Sequence, residues 1–204
     1  MDLNALILDF GHVHRLLDSA FDAGDPLAVG YTTSLTVGLS AAEVTEVAWP
    51  HFDRDYSGVW LPTQEWIPET RELVHTRARH PIGPRTAAAL GWHRREQEAA
   101  AAAAGPVWKN PGQLVFTDAT GRPWSTSDLD RRLHYRCRAA GLDPRNWRTL
   151  KTAALIEMLS LGVRRCAQDA WKRPSSSPTG KRLLAQTANQ IDEATLAPVA
   201  TPFA

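Results

Sequence analysis

In the stretch FGHVHRLLDSAFDAGD, the apolar residues are Phe10, Val13, Leu16, Leu17 and Phe21. Intervals of three and four place them on one face and predict an amphipathic helix. The next stretch, PLAVGYTTSLTVGL, is nearly all apolar or small and has no polar face, which predicts a buried helix from Pro26, a favoured first-turn residue. Ser40 followed three residues later by Glu43 has the form of a capping box opening a helix over AAEVTEVAW, and Pro50 stops it. YSGVWLPTQEW and ELVHTRA are short runs of β-branched and aromatic residues broken by turn formers, and predict two or three strands. Pro84 to Ala104 reads as one long helix closed by Gly105. QLVFTDATGRPW follows as a short strand or extended segment with a turn at Thr120–Gly121. STSDLDRRLHYRCRAAGL has a capped start and Gly141 at its end, and predicts a helix. LKTAALIEMLSLGV, RRCAQDAWK and KRLLAQTANQIDEATLA are three more helical stretches.

Three helices, a small antiparallel sheet at about 56–82 and a C-terminal helical part at about 126–194 predict a mainly helical α+β domain over residues 1–194. Residues 195–204, with Pro198 and Pro202, are expected to be a loose tail.

Charge changes the picture more than composition does. The chain of 204 residues has a net charge of only +1. Residues 1–72 hold 12 Asp/Glu against 3 Arg, a net of −9, whereas residues 122–182 hold 14 Arg/Lys against 5 Asp/Glu, a net of +9. A basic block of that size suits a phosphate backbone or an acidic partner; it also suits solvated helix faces or attraction between the two halves. The two cysteines, Cys137 and Cys166, have no metal-ligand spacing and form no disulfide framework, which fits a reducing cytoplasm. No signal peptide, membrane-spanning run, metal site or cofactor motif is expected. His12 and His14 point apart on a helix, and Trp49, Trp147 and Trp171 read as core residues.

Four phrases, in order, resemble the catalytic domain of tyrosine recombinases, the phage-integrase family: TVGLSAAEVTEVAWPHFDRDYSGVWL, GQLVFTDATGRPWSTSDLDRRLHYRCRAAGLD, WRTLKTAALIEMLSLGV and SPTGKRLLAQ. The resemblance covers roughly residues 10–194. It implies an integrase-like catalytic-domain fold and an ancestry in DNA recombination and integration, as in mobile elements. It begins within the first ten or so residues, so the N-terminal helical domain that closes the family's clamp on DNA is expected to be absent.

Such enzymes attack a phosphodiester with a tyrosine, and without a metal the transition-state charge rests on protein cations and donors. The resemblance places those roles on substituted positions. Ser40 stands for the first arginine and also reads as a helix N-cap; Glu69 stands for the hairpin lysine. The His-x-x-Arg pair becomes Arg148 and Lys151. The later histidine or tryptophan falls near Trp171, Lys172 or Arg173, and the tyrosine falls on Leu184. The last tyrosine is Tyr135 and the last histidine is His134. The chain is therefore expected not to cleave DNA.

What remains is a set of candidate phosphate contacts: Arg131, Arg132, Arg136, Arg145, Arg148, Lys151, Lys172 and Arg173. Arg131, Arg132, Tyr135 and Arg136 share a broad helix face and, with Arg138, can form a basic ridge. The expected function is that of a DNA-binding or recombinase-modulating pseudoenzyme, with duplex DNA or a full-length recombinase as partner. Two alternatives stand beside it. One is a protein-interaction domain that pairs, with itself or another chain, through Leu183, Leu184, Ala188 and Ile191 of its C-terminal helix. The other is a decayed mobile-element remnant.

Overall fold

A computed structural model describes residues 8–67, 72–160, 178–199 and 202. The elements are α1 (Phe10–Asp22), α2 (Ala28–Thr36), α3 (Ala41–Glu46), β1 (Gly58–Ile67), β2 (Glu72–Pro81), α4 (Pro84–Ala104), α5 (Thr126–Ala139), α6 (Trp147–Ser160) and α7 (Pro178–Leu196). The result is mainly helical with one small antiparallel sheet, as the pattern predicts.

α2 is the centre. Every residue of it is buried, and α1, α4, α6 and α7 pack around it. Its three threonine hydroxyls survive burial because each finds a backbone acceptor: Thr32 donates to the Ala28 carbonyl (3.0 Å), Thr33 to Val29 (3.0 Å) and Thr36 to Thr32 (3.0 Å). α1 covers one side with Val13, Leu16, Leu17, Ala20 and Phe21. Trp147, at the start of α6, packs its ring 5.2 Å from that of Tyr31, and its indole N–H donates to Ser34 Oγ at 2.8 Å. Trp49 and Trp147 are both core residues, as expected; Trp171 lies outside the described residues.

The sheet holds two strands paired from Gly58↔Pro81 to Ile67↔Glu72. Its base is pinned where Arg79 bonds Asp53 (2.6 Å) and the Ser57 carbonyl (3.1 Å). QLVF contributes no third strand: it makes only isolated bridges, Ala48↔Leu114 and Thr117↔Pro123. His93 of α4 replaces further ladder bonds there, bonding the Val115 carbonyl at 2.9 Å.

α4 has no side-chain cap of its own, because its N-cap is Gly83. Asp192 of α7 supplies one. Its carboxylate accepts from the backbone N–H of Arg85 (2.8 Å) and Thr86 (2.8 Å) and from the Thr86 hydroxyl. Glycine at 83 is what lets it in: a Cβ there would lie 2.3 Å from that of Asp192.

One expectation changes. Residues 195–199 pack rather than trail, since Leu196 and Val199 are apolar and join the core. Leu184, Ala188 and Ile191 are buried against this chain's own core, and Leu183 is half-buried. The stretch RRCAQDAWK lies outside the described residues.

Candidate functional site

The positions that the sequence resemblance assigns to a recombinase centre lie on α3 (Ser40), α6 (Arg148 and Lys151) and α7 (Leu184). Ser40 is the N-cap of α3. Its hydroxyl bonds Glu43 Oε2 at 2.6 Å, its backbone N–H donates to the same oxygen at 2.7 Å, and the Glu43 N–H returns to Ser40 Oγ at 3.3 Å. The reciprocal box uses up the serine locally, so it offers no activated nucleophile.

β2 alternates outward His75, Arg77 and Arg79 with half-buried Val74, Thr76, Ala78 and His80. That puts His80 on the inner face, where its Nδ1 is buried without a hydrogen-bond partner among the described residues. Burial pushes the imidazole down to about 4, with Glu43 acting upward and Lys151 downward. His80 is therefore neutral near pH 7, within electrostatic reach of Glu43 of α3 and Lys151 of α6. The polarity of β2 marks His80 only by its place in the alternation, so nothing in the residue itself singles it out.

α6 starts at Trp147, whose backbone N–H donates to Asp130 Oδ1 of α5 at 2.7 Å. The buried indole behind it fixes the helix direction, and the next turn presents Arg148 to solvent and Lys151 half-buried toward His80. Among the described residues neither is paired with a carboxylate. Leu184, which the sequence resemblance sets at the nucleophile's position, is 2% exposed within α7. Glu69, Lys172 and Arg173 lie outside the described residues.

The α5 arginines divide into two kinds. Arg136 turns inward: its Nε donates to Asp25 Oδ2 (3.0 Å), its Nη1 to the Ser19 carbonyl (3.0 Å), and its side chain is 9% exposed. Arg132 reaches Oδ1 of the same carboxylate through Nε at 3.0 Å and remains 36% exposed. The Asp25 side chain is fully buried and also accepts from the Leu27 N–H at 2.9 Å. Arg131 is solvent-exposed and bonds Asp128, which with Ser125 caps α5. Arg145 is mostly buried, 3.8 Å from Asp143. The helical face that groups Arg131, Arg132, Tyr135 and Arg136 is thus real, but one member is bound into the core. Asp25, the residue that binds it, carries no sequence signal because its partners lie 107 and 111 positions away.

Among the described residues no group of three or more His, Cys, Asp or Glu could hold a metal, and no helix is long and apolar enough to cross a membrane.

No family model matches the sequence, and no curated protein does. Solved structures do match. One is the XerA recombinase, with a TM-score of 0.64 and 12% identity over 88% of this chain and 57% of that one. Another is the XerH site-specific recombinase bound to its palindromic difH substrate in a post-cleavage complex, with a TM-score of 0.57 and 12% identity over 92% of this chain and 51% of that one. The chain spans little more than half the length of either. At such identity the likeness concerns the backbone: this chain has the fold of a tyrosine-recombinase catalytic domain.

Proposed function

We propose that this protein binds duplex DNA without cutting it, as a pseudoenzyme of recombinase ancestry. The observation that carries the reading is the split between charge and nucleophile. Among the described residues Arg148 and Lys151 have no carboxylate partner at the start of α6, whereas Leu184, which the resemblance sets at the nucleophile's position, is buried in the core. A phosphate can be held there, but no side chain at that position can attack it. The XerH complex with its DNA substrate supports a DNA partner for this fold. A non-cleaving copy of the fold would occupy recombinase sites and so modulate an active enzyme.

The test is fluorescence anisotropy on random-sequence duplex at about 50 and 200 mM salt, with a denaturing gel for covalent adducts. Each phosphate contact contributes about 0.9 to the logarithmic salt slope. Arg148→Gln with Lys151→Gln should therefore flatten it by about 2. No binding at low salt removes the DNA reading, and a covalent protein–DNA band removes the non-cleaving one.

A further inference from the structure

Beside the inward-facing Asp25, the outer surface of α5 forms an open groove of about 320 Å³. That lies within the range of small-molecule sites. Its walls include two aromatic rings and three guanidinium groups: Trp124, Tyr135, Arg131, Arg132 and Arg136. They interleave, with Arg132 lying 5.3 Å over the Trp124 ring and Arg136 lying 5.9 Å over that of Tyr135.

Three features of this groove are not accounted for by contacts among the described residues. Tyr135 is 69% exposed, an unusual place for a large ring, and an arginine lies over it. The Trp124 indole N–H is buried without an acceptor among the described residues, which is rare in a folded protein. The charges do not balance either. Asp25 faces both Arg132 and Arg136, and Asp128 serves only Arg131, so one positive charge is left over. Arg132 is held through Nε and still lines the groove, so its planar fork is oriented before any ligand arrives.

We propose that this groove is a nucleotide site that holds one phosphate on Arg131 and Arg132 and stacks the attached base on Tyr135. Arginine forks suit phosphate oxygens, and an exposed ring beside them suits any base face. The ligand is a nucleoside monophosphate unit with an unpaired base, either free or within a single strand. The site lies on α5 and does not use Arg148 or Lys151, so it stands apart from the duplex reading.

The experiment is isothermal titration of the full chain with adenosine 5′-monophosphate, inorganic phosphate, adenosine and a 5′-phosphorylated hexathymidylate. The monophosphate should bind at least about tenfold more tightly than phosphate or adenosine alone, because only it engages both halves of the site. Tyr135→Ala, at an exposed position, should weaken it at least about fivefold and leave phosphate unchanged. Arg131→Gln should weaken both. A hexamer that binds more tightly than the monophosphate, and depends equally on Tyr135, assigns a single strand; equal affinities assign a free nucleotide. No binding of the monophosphate at about 10 mM overturns the proposal, as does monophosphate affinity equal to that of phosphate and indifferent to Tyr135→Ala. Arg148→Gln with Lys151→Gln should not touch this binding, so either reading can fail alone.

Discussion

Asp25→Asn asks whether the α5 arginines belong to the fold. The substitution keeps the size of the side chain and an oxygen for the Leu27 N–H, and removes only the charge. Arg136 would then sit 9% exposed with the Ser19 carbonyl as its remaining oxygen partner. Removing one partner of a buried ion pair typically costs about 3–5 kcal/mol, because the other charge is left without compensation. The lower end applies, since Arg132 is 36% exposed and regains water. About 3 kcal/mol, at an m-value of about 2–3 kcal/mol/M, lowers the urea midpoint by about 1–1.5 M with m unchanged. Arg136→Met in the same chain should restore at least half of the loss, because the stranded charge goes with it. A loss under about 1 kcal/mol would refute the reasoning: Arg136 would then not depend on Asp25, and would count again as a DNA contact.

Other perturbations test the neighbouring claims. The depressed His80 imidazole is neutral in the folded state, whereas the unfolded chain takes up its proton below about 6.5. Its contribution is therefore complete above that pH and is lost as pH falls toward about 4. For a half-buried ring this is about 1–2 kcal/mol between pH 7 and 5; urea melts of the wild type and His80→Gln at both pH values should show it, and parallel pH dependences would contradict it. Asp192→Ala strands two N–H groups at the start of α4 and should cost about 2–3 kcal/mol in thermal melts. Gly83→Ala should do comparable damage by displacing the same carboxylate, and an unchanged melting point in both variants would remove the cap from the account. Ser40→Ala should cost about 1 kcal/mol and leave DNA anisotropy unchanged; weakened DNA binding at equal stability would show that the serine touches phosphate.

Local signals were readable and distant ones were not. Pro84 and Gly105 bracket α4 to the residue, and the Ser40–Glu43 and Ser125–Asp128 boxes mark two helix starts, because each of these signals acts within four positions. Arg132 and Arg136 could be placed on one helix face from spacing alone, yet their electrostatic state depends on a carboxylate more than a hundred residues upstream. His80 is a similar case: strand alternation gives its side, but only tertiary packing over that face makes it a buried neutral group. The apolar face of α7 is visible in the sequence at 184, 188 and 191, but periodicity does not say whose core covers it.

The capping of α4 by Asp192 has a consequence for the order of events during synthesis. The carboxylate lies 107 residues downstream of the Arg85 N–H it serves. At about 5–20 residues per second, the ribosome needs roughly 5–20 s to deliver it after α4 has been made. Throughout that interval the nascent chain carries a long helix whose first turn lacks its cap, beside a central helix, α2, still waiting for α6 and α7. The N-terminal half is therefore made before the carboxylate that caps α4 and before two of the helices that cover α2.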